Sequence, residues 1–256
     1  MQSRYRVTGE GKPVVLLHAF PLSAEMWSAQ HAGLASRARL VTPHQRGFGG
    51  TPLGDAPPSL DVAADDLVGV LDELAIDRAV LGGLSMGGYV AMAFLRRHPE
   101  RVGGLVLADT KAGADPEAAV ANRRRIADAL EQTGSSAVLV EEVYPALLSD
   151  ATRTEHPDLA DRVRKDVSSA PPDASAWAQR AMAGRPDSFD TLRAVSVPAL
   201  VLVGEDDRLT PLAEAEAMVD ALPQARLVTV RGAGHLSAIE APAAFNAAVI
   251  AFLDAM

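Results

Sequence analysis

Ala79-Val80-Leu81-Gly82-Gly83-Leu84-Ser85-Met86-Gly87-Gly88 is the stretch on which the fold turns. Its first six residues form a continuous apolar run, the pattern of a parallel strand covered on both faces, and Met86 to His98 reads as a helix. Between them Gly83-Leu84-Ser85-Met86-Gly87 matches G-x-S-x-G, which sets a serine on a sharp strand-to-helix turn with its hydroxyl exposed. So tight a reversal strains the serine backbone. It also brings strand and helix so close that side chains two residues either side of the serine would collide. Gly82, Gly83, Gly87 and Gly88 relieve that collision. The first N–H groups of the helix favour negative charge developing beside the serine. Ser85 is therefore the expected nucleophile.

Outward from this turn, short Val- and Leu-rich runs recur at Val14 to Ala19, Leu40 to Thr42, Gly104 to Ala108, Ala199 to Val203 and Ala225 to Val230. Helical patterns separate them at Ala24 to Ser36, Leu60 to Leu74, Leu212 to Leu222 and Ala243 to Leu253. This alternation predicts a doubly wound, mostly parallel α/β sheet, to which Tyr5-Arg6-Val7 adds an antiparallel edge strand. One gap breaks the rhythm. Lys111 to Ser196 offers helical text punctuated by Pro145, Pro157, Pro171, Pro172 and Pro186, and no good strand. A structureless loop of that length is rare, so a helical insertion between two sheet strands is expected. It leaves from the carboxyl edge of the sheet, where α/β folds bind ligands, and is placed to roof a pocket. The expected division is residues 1–110 and 197–256 as the α/β core and 111–196 as the insertion.

Composition narrows the function. A formal net charge of −9 opposes binding to nucleic acid or an anionic membrane. The absence of cysteine removes disulfides, thiolate metal sites and a cysteine nucleophile together. No metal or cofactor is expected. Met1-Gln2-Ser3-Arg4-Tyr5-Arg6 lacks the apolar run of a signal peptide, and no segment approaches the roughly eighteen apolar residues of a spanning helix. A soluble, cytoplasmic protein with a small-molecule substrate is the expectation.

A serine hydroxyl needs a base. Of six histidines, His235 lies in Gly232-Ala233-Gly234-His235-Leu236, after the last strand and at the same sheet edge as Ser85. It completes the chain order Ser…Asp…His. His31 and His98 lie in helical stretches, His156 in the insertion and His18 at a strand end. The acid should come from Gly204-Glu205-Asp206-Asp207-Arg208. Asp207 lies far enough past its strand to turn toward the histidine, while Glu205 and Asp206 suit the turn or solvent. Asp109, at the end of a neighbouring strand, is the rival acid; its alternative is an ion pair with Arg123-Arg124-Arg125. Oxyanion donors are expected from the Met86 N–H, after the nucleophile, and the Phe20 N–H in His18-Ala19-Phe20-Pro21, since Pro21 has none. Phe20, Met86 and Leu236, with Trp27, Trp177 and Met182, are expected to line an apolar pocket.

At these motifs, together with Arg46-Gly47-Phe48-Gly49, Pro211, Ser237, Glu240 and Pro242, the chain resembles the α/β-hydrolase superfamily over nearly its whole length. Within it, it is similar to small bacterial carboxylesterases, 3-oxoadipate enol-lactonase-like proteins and cofactor-free haloperoxidase-like members. That resemblance implies a helical cap over the pocket and supports Ser85, Asp207 and His235 as the triad. Two departures stand out. The family usually carries His-Gly where this chain has His18-Ala19, and an Asp two residues before the Arg46 position, here occupied by His44 in Pro43-His44-Gln45-Arg46. Local repacking around Arg46 is the expectation for His44 and Gln45, with a role in substrate binding at the pocket edge as the alternative. The leading function is hydrolysis of a carboxylic ester or lactone of a small, largely apolar substrate. The alternatives are acyl transfer, as in a perhydrolase or a biosynthetic thioesterase, for which Arg123-Arg124-Arg125 would be the carrier patch, and a non-catalytic binding protein on the same fold.

Overall fold

The computed structural model describes residues 4–256; Met1, Gln2 and Ser3 lie outside the described residues, and with them half of the N-terminal segment read above. Seven strands form one sheet: β1 (Tyr5–Thr8), β2 (Pro13–Leu17), β3 (Arg39–Pro43), β4 (Ala79–Leu84), β5 (Val102–Ala108), β6 (Ala199–Gly204) and β7 (Ala225–Val230). Their order is β1-β3-β2-β4-β5-β6-β7. Among the described residues only β1 runs antiparallel, against β3, and the five remaining neighbour pairs are parallel. Every residue of β4 is buried, as expected of a strand covered on both faces. β7 departs from the sequence reading. It is the half-exposed far edge of the sheet, with Arg226 and Thr229 in solvent, because no strand among the described residues pairs beyond it.

Helices cover both faces. α1 (Ser28–Leu34), α2 (Leu60–Glu73) and α3 (Met86–Arg97) follow the first strands. Between β5 and β6 the chain runs through α4 (Glu117–Thr133), α5 (Ala137–Glu142), α6 (Asp150–Glu155), α7 (Pro157–Ser168), α8 (Pro172–Ala183) and α9 (Phe189–Ala194). No strand of the sheet comes from this stretch, and α4 packs along α8. Two of the prolines read as punctuation act as helix starts: Pro157 and Pro172 occupy the first turns of α7 and α8, where a missing N–H costs nothing. α10 (Leu212–Ala221), α11 (Ser237–Glu240) and α12 (Pro242–Asp254) complete the chain. Among the described residues, no helix is long and apolar enough to cross a membrane.

The approach of β4 to α3 is as close as the glycine spacing implies. A Cβ added to Gly83 would lie 2.1 Å from the carbonyl carbon of Gly87, and one on Gly87 would lie 2.1 Å from Leu17 O. Both obstacles are backbone and cannot swing aside. Gly87→Ala should therefore lower the unfolding free energy by roughly 2–3 kcal/mol, the scale of an overpacked core. Urea unfolding measures this, and an unchanged midpoint would contradict the packing account.

Candidate active site

Ser85 joins β4 to α3 with φ 55° and ψ −114°, a sparsely populated conformation for a residue with a Cβ. Its carbonyl explains how the strain is held. It accepts from Gly88 N at 2.9 Å, Tyr89 N at 3.2 Å and Thr110 Oγ1 at 2.9 Å, while Ser85 N donates to Ala108 O at 2.9 Å. The hydroxyl is thereby lifted off the sheet edge, and Ser85 Oγ lies 2.8 Å from His235 Nε2.

His235 sits between β7 and α11 on a loop that Glu240 gathers, its Oε1 accepting from Gly234 N at 3.0 Å and Leu236 N at 3.2 Å. The other Glu240 oxygen accepts from Ser149 N at 2.8 Å, tying this loop to the helices between β5 and β6. Asp207, three residues past β6, lies 3.0 and 2.9 Å from His235 Nδ1 through its two oxygens. Leu209 N, Thr210 N and Thr210 Oγ1 also donate to it, at 2.9, 3.0 and 2.6 Å. With Asp207 ionised, Nδ1 must carry the proton it donates, and Nε2 is left with a lone pair facing the serine hydroxyl. Burial pushes the Asp207 carboxyl up, but the charge and hydrogen bond of His235 and the donors of Thr210 outweigh it and hold it below its ordinary value. Burial likewise favours a neutral His235, yet Asp207, then Asp109 and Glu240, raise the imidazole above its ordinary 6.5.

Asp109 stands elsewhere. It does not pair with the arginine run, as one reading of the sequence allowed; it is fully buried, whereas Arg123 turns to Asp115 and Arg125 to Glu142. Asp109 Oδ1 accepts from Gly204 N at 2.8 Å, and Oδ2 meets Ser237 N at 3.2 Å and Ser237 Oγ at 2.5 Å. Burial first, and repulsion by Asp207 second, push its carboxyl well above the usual carboxylate range. None of the Asp109 bonds reaches the imidazole, which Asp207 holds instead. Glu205 and Asp206 are exposed on the turn after β6.

Four other histidines are engaged structurally, and His156 lies exposed between α6 and α7. His18 is fully buried; its Nδ1–H donates to Ala19 O at 3.0 Å, and its Nε2 accepts from Gln45 N at 3.0 Å. Burial pushes it down to about 3, so it stays neutral and pins the loop that carries Phe20. His31 lies between the hydroxyls of Thr8 and Thr42, at 2.6 and 2.7 Å, and burial pushes it down to about 4. His98 Nε2 is 2.8 Å from Asp65. His44 accepts from Ala24 N at 3.2 Å, and with Gln45 and Arg46 it borders a separate cavity of about 320 Å³ in which Ser85 has no part.

Ser85 and His235 open into a cavity of about 300 Å³. Of the six residues expected to line it, Phe20 and Met182 do. The other four do not. Met86 and Leu236 turn into the core, 2% and 0% exposed. Trp27 is fully buried, its ring 5.9 Å from that of Phe245. Trp177 donates Nε1–H to Ala56 O at 2.9 Å and has Arg46 over its ring. The wall is instead mixed: Lys111, Asp115, Arg123 and Gln179 face the same space. Met86 opens α3, so its N–H is one of the first-turn amides without an intrahelical acceptor. Phe20 precedes Pro21 through a cis peptide bond.

A family profile described as the alpha/beta hydrolase fold matches residues 12–242. Among solved structures, a thermophilic esterase from Thermogutta terrifontis with malate bound is 41% identical, with a TM-score of 0.95 over 98% of this chain and 92% of that one. The enol-lactonase from Burkholderia xenovorans LB400 is 27% identical, with a TM-score of 0.89 over 98% and 95%. The pimeloyl-(acyl-carrier protein) methyl ester esterase of Aromatoleum aromaticum is 33% identical over 90% of this chain and 93% of its own.

Proposed function

The chain belongs to the α/β-hydrolase fold family, and from that premise we propose that it hydrolyses a carboxylic ester or lactone through an acyl-enzyme on Ser85. The observation that carries this reading is the continuous relay from Ser85 Oγ to His235 Nε2 and from His235 Nδ1 to Asp207, opening on a cavity. Ser85 Oγ attacks the ester carbonyl as its proton passes to His235 Nε2. Asp207 stabilises the imidazolium and keeps the ring oriented. The N–H groups of Phe20 and Met86 receive the oxyanion. When the tetrahedral intermediate collapses, His235 gives the proton to the departing alkoxide. Water then repeats the sequence with His235 as base, releasing the acid and restoring the serine hydroxyl. The helices of residues 111–196 serve as a cap that supplies Met182 and the polar wall of the cavity.

Arg123 faces the cavity and Arg125 pairs with Glu142, which favours a small substrate over a carrier-bound thioester. A panel of p-nitrophenyl esters and simple lactones tests the function: turnover of esters is expected, and a panel without turnover by the folded protein would overturn it. The pH profile gives a second check. Only neutral His235 accepts the serine proton, and its surroundings raise it above 6.5, so kcat/KM should rise with pH about a midpoint above that value. A flat profile between about pH 5 and 8, with the enzyme folded throughout, contradicts a histidine base.

A further inference from the structure

Asp115 gathers three cations on the wall of the cavity that holds Ser85. Lys111 Nζ lies 3.0 Å and Arg185 Nη2 2.9 Å from Asp115 Oδ1, and Arg123 Nε lies 2.5 Å from Oδ2. The carboxylate side chain is 2% exposed and that of Arg185 4%, so the cluster is largely withdrawn from water. Arg185 is the deepest of the three: it sits 4.1 Å over the Tyr89 ring and also donates to Gly113 O. Three cations on one carboxylate leave the cluster a surplus of two positive charges, and of the three it is Lys111 and Arg123 that border the cavity. Glu142, the other carboxylate on that wall, is taken by Arg125 from outside.

The surplus cations are also held in place with donors to spare. Arg123 commits Nε to Asp115 and Nη1 to Gln179 Oε1 at 3.1 Å and Met182 Sδ at 3.4 Å, while Nη2 keeps both hydrogens. Lys111 commits one of three N–H bonds, to Asp115. Burial works against the charge on Asp115, but Arg123, Arg185 and Lys111 hold its carboxyl below the ordinary range, so it remains a fixed anchor for them. Withdrawing uncompensated charge from water is costly, and an anion arriving between Lys111 and Arg123 removes that cost.

We propose that Lys111 and Arg123 form a carboxylate-binding subsite, so that the substrate is an ester or lactone carrying a free carboxylate remote from the bond cleaved. This rests on the hydrolase reading above and replaces the largely apolar substrate expected from the sequence. Asp115 and Gln179 are positioning residues for the pair.

The test compares p-nitrophenyl hydrogen glutarate with p-nitrophenyl pentanoate, which have acyl chains of equal length with and without the terminal charge. The wild type should favour the glutarate half-ester by at least about tenfold in kcat/KM. Arg123→Gln and Lys111→Met should each lower that ratio by about tenfold or more, carried by KM, and Arg123→Lys should retain more of it than Arg123→Gln, having kept the charge but lost the fork. Glutarate binding to the Ser85→Ala protein, followed by calorimetry, should weaken about tenfold when Arg123→Gln is added, a readout that needs no turnover. If both esters are turned over and Ser85 is labelled by a fluorophosphonate, yet the ratio and the glutarate affinity stay within twofold in both variants, the subsite is wrong and the hydrolase stands. Loss of labelling and turnover in the wild type is the distinct failure of the hydrolase reading, and the calorimetric arm then decides the subsite alone.

Discussion

Ser85→Ala should fold as the wild type does and lose on the order of 10⁶-fold in kcat, the scale of a triad nucleophile deletion in subtilisin. Alanine keeps the Cβ that the turn already accommodates at φ 55°, and the bonds that hold the strained conformation are made by backbone and Thr110, not by the serine hydroxyl. What disappears is the oxygen 2.8 Å from His235 Nε2. The measurement is turnover of an activated ester, with circular dichroism and Tm to establish folding. A variant that keeps a tenth of wild-type turnover would place the nucleophile elsewhere.

Asp207→Asn should cost at least roughly 10²-fold in kcat and approach the 10⁴-fold of the same change in chymotrypsin-type triads. The local donors set the reason. Leu209 N and Thr210 N both donate to Oδ1, so the amide oxygen of an asparagine must stay there. Its NH₂ then occupies the Oδ2 position, the nearer to His235 Nδ1, where it opposes the Nδ1 proton, competes with the oxygen at 3.0 Å and favours the tautomer protonated on Nε2. Nε2 then faces Ser85 Oγ with a hydrogen instead of a lone pair. Asp109→Asn should cost far less in kcat, because Asp109 bonds Gly204 and Ser237 and not the imidazole. A folded but inactive Asp109→Asn beside a near-wild-type Asp207→Asn would reverse the assignment.

The legible parts of this chain are those where local covalent constraint and function coincide. The glycines around Ser85 are demanded by a strand and helix passing within 2.1 Å of a hypothetical Cβ, so the turn is written in consecutive residues. The gap between Ala108 and Ala199 is legible for a related reason, since helices cannot be spelled as parallel strands. Side-chain direction is a different matter. Met86 and Leu236 adjoin the relay in sequence but point into the core, because a turn fixes where a backbone goes and packing decides which side chain it buries. Asp109 and Arg123 were a plausible pair by charge, yet one lies under the His235 loop and the other on the cavity wall. Pairing over such distances is settled by the path of the insertion, which carries no local signature. The polar wall of the cavity is illegible in the sequence for the same reason. Its sequence signal is the spacing of Lys111 and Asp115 before the first inserted helix and Arg123 within it. Thr210 and Glu240, which hold Asp207 and the His235 loop, announce themselves only once their acceptors and donors are in place.

The most direct test of an acyl-enzyme on Ser85 is the intact mass of the protein after treatment with a fluorophosphonate, followed by peptide mapping. A serine activated by His235 and Asp207 should gain one phosphonyl group, located on the peptide that contains Ser85, and the Ser85→Ala protein should gain none under the same conditions. Adduct on another residue, or a folded wild type that stays unmodified, would contradict the assignment of Ser85 as the nucleophile.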